Sequence, residues 1–197
     1  MKKINCIALI FLLLSLIQNV SADKAILAGG CFWCMESDFE ALEGVSDVVS
    51  GFTGGSSKNP TYNGNHTGHY EAVEITYNAK IVNYQSILDH FWVNIDPFDD
   101  KGQFCDKGPS YLSAVFVSTN KERAIAEQSK QKVIEMFPGQ TVVTPILDAV
   151  TFYPIMGNEI YHQDYYKNNP LRYKYYRRGC GRDKRLKQLW GNKATTH

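Results

Sequence analysis

Residues 24–150 switch repeatedly between two hydrophobic periods, and the order of the switches is the strongest constraint on the fold. KAILAG is a short apolar run closed by Gly29 and Gly30, as expected of a buried strand. Phe32, Met35, Phe39 and Leu42 then recur at helical spacing as far as Gly44. VSDVVSGF and EAVEITYN alternate as strands do. NYQSILDHFWVNI returns to helical spacing, with Asn83 as the capping residue and Ile87, Leu88, Phe91, Trp92 and Ile95 on one face. YLSAVFVS is again strand-like, NKERAIAEQSKQKVIEMF is an amphipathic helix stopped at Pro138-Gly139, and TVVTPILDAV gives a last strand. The first six elements run β-α-β-β-α-β, which predicts an α/β (α+β) chain: a two-layer sandwich on a ferredoxin-like core. Thr151 to Arg182 is aromatic and follows neither period, so an irregular C-terminal tail is expected, with DKRLKQLW as a closing helix.

The start of the chain does not belong to this pattern. Lys2 and Lys3 precede IALIFLLLSLI, and Val20 and Ala22 supply the small residues of an A-x-A-like site. That is the layout of a secretory signal peptide over residues 1–22, cleaved after Ala22. The apolar run falls short of the ~20 residues a membrane span needs. The expected mature protein, residues 23–197, is one domain, exported to a periplasm or secreted, with no stable membrane association. Its 197-residue precursor carries 21 basic and 20 acidic side chains, so overall charge gives no reason to expect a nucleic-acid partner. The basic and aromatic YYKNNPLRYKYYRR could stack on single strands, but it reads better as a segment wrapped on the sheet with a solvated basic face.

Of five cysteines, Cys6 lies in the leader, leaving Cys31, Cys34, Cys105 and Cys180. Four are too sparse to build a scaffold of disulfides, so the core must hold the fold and the thiols are available for chemistry. Cys31 and Cys34 form a C-x-x-C directly behind the first strand. Zinc is a poor fit: no second C-x-x-C or spaced His pair exists, and His66 and His69 would have to fold in. A thioredoxin-like exchange site would put its aromatic before the first cysteine; here Gly30 stands there and Phe32 and Trp33 lie between the pair. A Cys–His pair of the papain kind has no local signature. At a strand end and helix start, Cys31 meets free N–H groups and the positive end of the helix dipole, which favour a thiolate. Phe32 and Trp33 would wall its sulfur with apolar surface.

Four segments in order, GCFWCME with GFTGG, NPTYNGNHTGHYEAVEITYN, FCDKGPSYLSAVF and FYPIMGNEIYHQDYY, resemble the A class of peptide methionine sulfoxide reductases from about Ala25 to Trp190. The resemblance implies a two-layer α/β sandwich with a mixed sheet and a reductase of methionine S-sulfoxide, free or in proteins. No bound cofactor or metal is implied; the reductant is an external dithiol, thioredoxin or similar, and a monomer is expected. By motif, Cys31 is the nucleophile, Phe32 and Trp33 receive the S-methyl group, and Glu71 protonates the sulfoxide oxygen. Tyr62, Asp106 and Tyr111 match the polar residues that hold that oxygen or a water. A sulfoxide oxygen leaves poorly unless protonated, so an acid kept neutral by burial is what the attack needs. The product on Cys31 is a sulfenic acid, which a second thiol condenses to a disulfide that a dithiol opens. Cys180, in the glycine-flanked RRGCGRD, is the first candidate for that resolving thiol, Cys34 the alternative and Cys105 the last.

Several positions depart from the commoner pattern. Cys34 stands where glycine is frequent, the loop from Tyr62 to Glu71 is short, and the C-terminus lacks a glycine-rich tail with two cysteines. Asn65-His66-Thr67 is a formal glycosylation sequon, but a glycan there would crowd the pocket. His69 and His162 suit packing or hydrogen-bonding roles.

Overall fold

The computed structural model describes residues 22–194. The expected leader therefore lies outside the described residues, apart from Ala22. Strands β1 (Ala22–Gly29), β2 (Val45–Thr53), β3 (Tyr70–Asn78), β6 (Ser113–Val117), β7 (Ile146–Asp148) and β8 (Tyr153–Pro154) form one sheet. A two-stranded hairpin of β4 (Gly102–Gln103) and β5 (Asp106–Lys107) stands apart. The helices are α1 (Phe32–Glu40), α2 (Tyr84–Val93), α3 (Asn120–Met136), α4 (Tyr165–Asn168), α5 (Pro170–Cys180) and α6 (Arg182–Trp190).

The sheet order is β7-β6-β1-β3-β2-β8. Its centre, β6-β1-β3-β2, is antiparallel throughout, which is the strand order of the ferredoxin-like core. β7 pairs parallel to β6 and makes the sheet mixed. The main core lies between sheet and helices and gathers Leu27, Val73, Ile75 and Val115 with Phe32, Met35, Phe39, Ile87, Leu88 and Phe91. The opposite sheet face carries a smaller cluster around Ala28, Ala72, Ala114 and Phe116. No helix among the described residues is long and apolar enough to cross a membrane.

Local chemistry sets the helix starts. Asn83 Oδ1 accepts from Ser86 N–H at 2.9 Å, and Thr119 Oγ1 accepts from Glu122 N–H at 3.1 Å. α1 is capped differently: its N-cap residue, Cys31, makes no side-chain cap hydrogen bond, and the first N–H of the helix, that of Phe32, donates instead to Glu71 Oε2. Gly29 lets α1 close on β1, since a Cβ at that position would lie 2.4 Å from the Met35 sulfur. Gly30 turns the chain with φ +84°, a conformation glycine adopts without strain.

The C-terminal segment differs from the expected irregular tail. It forms α4 and α5, and α6 follows as the expected closing helix, with Gly181 at φ 72° ending one helix and starting the next. Buried arginines dock these helices. Arg177 donates to Asp38 Oδ1 at 2.8 Å, and Arg182 reaches Asp38 Oδ2 at 3.4 Å, Asn94 O at 2.7 Å and Gly29 O at 3.3 Å. A polar sequence thus supplies a buried face through ion pairs, a route to packing that apolar periodicity does not report.

Candidate active site

Cys31 sits where β1 hands over to α1 and is only 6% exposed. Burial pushes its thiol well above the ordinary range, and a hydrogen bond with Cys34, the Cys34 charge and the Glu71 charge push the same way. The expected thiolate is thus corrected: desolvation outweighs the helix start, and Cys31 rests as a thiol. Cys34, one helical turn on, is pulled down to about 7 by its hydrogen bond with Cys31, then by the Arg182 and Arg177 cations, against burial. The two sulfurs titrate as a pair, with the resting negative charge favoured on Cys34.

Glu71 stands near the start of β3, opposite Phe52 of β2. It is 2% exposed, and Phe32 N–H donates to its Oε2 at 3.1 Å. Burial pushes its carboxyl up to about 8; the Asp106 carboxylate adds to this, while hydrogen bonds from Phe32 N–H and Tyr111 oppose it. Near neutral pH Glu71 therefore keeps its proton, the state an acid donor needs. Tyr62 and Tyr111 hydrogen-bond each other, and both are pushed up by burial and then by the Glu71 charge. Tyr62 arrives on the loop between β2 and β3, and Glu159 holds that loop by accepting from Tyr62 N–H at 2.7 Å and Asn63 N–H at 3.0 Å. His69 ties the same loop from within, with Nδ1 accepting from Gly55 N–H at 3.3 Å and Nε2 donating to Ser57 O at 2.9 Å.

The aromatic wall divides into two parts. Phe32 is fully buried, edge-on to Phe52 with ring centroids 6.0 Å apart, and 6.0 Å from Tyr62. Trp33 is half-buried, stacks on Tyr165 at 3.8 Å and donates its indole N–H to His162 Nδ1 at 3.0 Å. That bond requires a neutral His162, and burial does push this imidazole down. Both aromatics pack into or against the main core.

Sequence patterns gave no warning of Tyr176. Its hydroxyl donates to Asp106 Oδ2 at 2.6 Å and also hydrogen-bonds Cys31. It belongs to the YKYYRR run of α5, where no spacing marks one tyrosine from the next. Asp106, pushed up by burial, in turn lies 3.8 Å from Cys180 Sγ. Cys180 is disulfide-bonded to Cys105, 75 residues away in sequence, while Cys31 and Cys34 are free. The residues singled out by sequence therefore converge. Cys31, Cys34, Glu71, Tyr62, Tyr111 and Asp106 are linked by hydrogen bonds and electrostatic contacts into one cluster, and the Cys105–Cys180 disulfide adjoins it at Asp106.

This arrangement can present a sulfur nucleophile to a polar, oxygen-bearing sulfur, protonate the oxygen and take up oxidising equivalents in neighbouring thiols. Comparison with known proteins agrees. Residues 23–194 match the family model described as peptide methionine sulfoxide reductase. The Caulobacter vibrioides peptide methionine sulfoxide reductase MsrA 2 is 51% identical over 172 residues, covering 86% of each chain. The solved methionine sulfoxide reductase A of Corynebacterium diphtheriae is 28% identical with a TM-score of 0.66, covering 76% of each chain. Mxr1 of Saccharomyces cerevisiae, solved in complex with Trx2, shares the fold at 18% identity and a TM-score of 0.52, covering 73% of this chain and 84% of that one.

Proposed function

The chain belongs to the peptide methionine sulfoxide reductase family and reduces methionine sulfoxide to methionine, and on that premise we propose how its residues divide the work. Cys31 attacks the sulfoxide sulfur while Glu71 gives its proton to the oxygen. The oxygen passes to Cys31, which becomes a sulfenic acid, and methionine leaves. Tyr62, Tyr111 and Asp106 hold the oxygen, and Phe32 and Trp33 receive the S-methyl group. The S epimer is the substrate, free or within proteins. The single observation that carries this division is a buried acid at Glu71, neutral up to about pH 8, bonded through Phe32 N–H to the residue after the buried Cys31.

The cysteine geometry favours a relay. Cys34, hydrogen-bonded to Cys31, condenses with the sulfenic acid, releasing water and forming a Cys31–Cys34 disulfide. Reduced Cys180 then attacks that disulfide, and Cys105 closes on Cys180, which regenerates both inner thiols. The described state, with free Cys31 and Cys34 and an oxidised Cys105–Cys180 pair, is the stage that follows. Cys180, the first candidate from sequence, thus acts in the second exchange, with Cys105 as its partner. A thioredoxin-like dithiol reopens the outer pair. Export by a leader over residues 1–22, to a periplasm or outside the cell, is proposed on the Lys2-Lys3 and IALIFLLLSLI pattern.

The deciding experiment follows methionine formation from each sulfoxide epimer, for the wild type and each cysteine variant, under dithiothreitol and under thioredoxin. Equal rates on both epimers would refute the assigned stereochemistry. A Cys34→Ser protein that still places Cys31 directly in disulfide with Cys180 at the wild-type rate would refute the relay order.

A further inference from the structure

The C-terminal half of α1 carries a group of carboxyls that the sulfoxide chemistry does not use. Glu36 and Glu40 stand one helical turn apart, so their side chains lie on the same side of the helix. They approach its C-terminal end, where the helix dipole is negative, and no basic side chain of α1 occupies the last turn. Asp164 meets them from the turn before α4, where it adopts a left-handed φ of 52°. One carboxyl oxygen from each of the three lies within 4.8 Å of the other two. Like charges gathered this closely repel one another unless a cation stands among them.

Lys167 meets part of that charge, with Nζ 2.5 Å from Glu40 Oε2 and 2.7 Å from Asp164 Oδ1. Tyr166 also donates its hydroxyl to Glu40 Oε2. Glu36 is served less well. It is 1% exposed, and its Oε1 accepts from Asp164 N–H at 3.0 Å. Its Oε2 is buried without a hydrogen-bond partner, and Lys167 forms no ion pair with it, among the described residues. Folded proteins keep few acceptors in that condition, and each asks for a reason. Burial pushes the Glu36 carboxyl up to about 8, and the Asp164 and Glu40 charges add to this. The three carboxyls line a cleft of about 430 Å³ together with Asp47, and Lys167 is the only cation on its walls.

We propose that Glu36, Glu40 and Asp164 bind a hard divalent cation, calcium, which displaces the Lys167 ammonium from the two outer carboxylates and takes Glu36 as its buried ligand. Oxygen ligands alone select against soft metals. Calcium accepts about six to eight oxygens in irregular geometry, so three carboxylates from the protein and water from the cleft suffice. Magnesium demands a regular octahedron and gives up its water reluctantly, which suits a buried oxygen less well. As the ion arrives, Glu36 releases its proton to solvent and becomes a carboxylate. The site joins α1 to the turn between His162 and Tyr165, the two residues that hold Trp33 by its indole N–H and by stacking. The bound ion thus braces the aromatic wall from behind, a role that goes beyond the function proposed above and does not depend on it.

The test uses calcium chloride as the probe, on the full chain after treatment with a chelator, with no sulfoxide or reductant present. Calorimetry should report one site per chain with a dissociation constant of about 10⁻⁴–10⁻³ M, the range of extracellular calcium modules. The thermal midpoint should rise by a few degrees in about 10 mM calcium, and not in sodium chloride of equal ionic strength. Glu36→Gln, Glu40→Gln and Asp164→Asn should each weaken binding about tenfold or more, with wild-type circular dichroism showing that they are folded. Lys167→Met should instead tighten binding several fold, because the competing ammonium is gone. Heat of binding absent from both the wild type and Lys167→Met would overturn the proposal. So would a Glu36→Gln protein that binds as tightly as wild type, since the ion would then touch exposed carboxylates alone. Tighter binding of magnesium chloride than of calcium chloride would overturn the choice of ion.

Discussion

The two cysteine pairs of this chain are built for opposite surroundings. Cys31 and Cys34 are buried near Glu71 and Tyr176, where loss of water pushes Cys31, Glu71 and Tyr176 up. Cys105 and Cys180 lie nearer the surface, one exposed and one half-buried, with the Asp106 carboxylate beside them. Dry surroundings keep Glu71 protonated and protect a sulfenic acid, but they also shut out a protein reductant. The surroundings of the outer pair do the reverse. Tyr176 and Asp106 stand between the two pairs, within hydrogen-bonding reach of Cys31 on one side and 3.8 Å from Cys180 Sγ on the other.

The sharpest way to break this contrast is to remove the inner sulfur. Cys31→Ser should abolish methionine formation, including the single equivalent released without reductant, as rapid-quench measurements would show. Glu71→Gln keeps the hydrogen bond to Phe32 N–H but loses the proton, and should slow the oxygen-transfer step by about 10²–10⁴-fold. With Glu71 pushed up to about 8, the wild-type rate should fall as pH rises through that value, and the pH–rate profile of Glu71→Gln should lose this limb. Cys180→Ser separates the pairs differently. It should still release one methionine and form a Cys31–Cys34 disulfide, yet turn over with thioredoxin at background rates while dithiothreitol rescues it.

Smaller effects sharpen the comparison. Glu36 and Glu71 are both pushed up to about 8 by burial from an ordinary 4.5. A carboxyl raised on folding binds its proton more tightly in the native state, so its stabilising effect is complete below about pH 4.5 and is lost as pH rises toward 8. Unfolding free energy should therefore fall across that window, each group contributing up to about 1.4 kcal/mol per pH unit. Denaturant melts of Glu71→Gln should show a shallower fall than wild type. Least of all, His162→Leu removes the acceptor of the Trp33 indole N–H, a bond worth about 1 kcal/mol, and should raise KM a few fold while the dithiothreitol-driven kcat changes little.

Much of the inner region was legible in the residues. The alternation around VSDVVSGF and EAVEITYN places Glu71 near a strand start, and Phe32, Met35 and Phe39 place Cys31 at a helix start, because local periodicity follows from which face is buried. Tyr176 was not legible, since nothing in YKYYRR distinguishes the tyrosine that turns toward Asp106. The helices of residues 165–180 were missed for a related reason. The buried face of α5 is formed by Tyr173 and by Arg177 on Asp38, and arginine in a pattern reads as solvated surface.

The sequence by itself determined the order of the core strands and helices and the four motifs, and it singled out Cys31 and Glu71 as candidates for nucleophile and acid, because these depend on residue type and short-range spacing. Only the tertiary structure decided that burial pushes the Cys31 thiol up, that the Arg182 and Arg177 cations help pull Cys34 down and that Cys180 pairs with Cys105. Each of these is set by the distance between groups far apart in the chain and by the water excluded when they meet, and neither quantity is written in the spacing of letters.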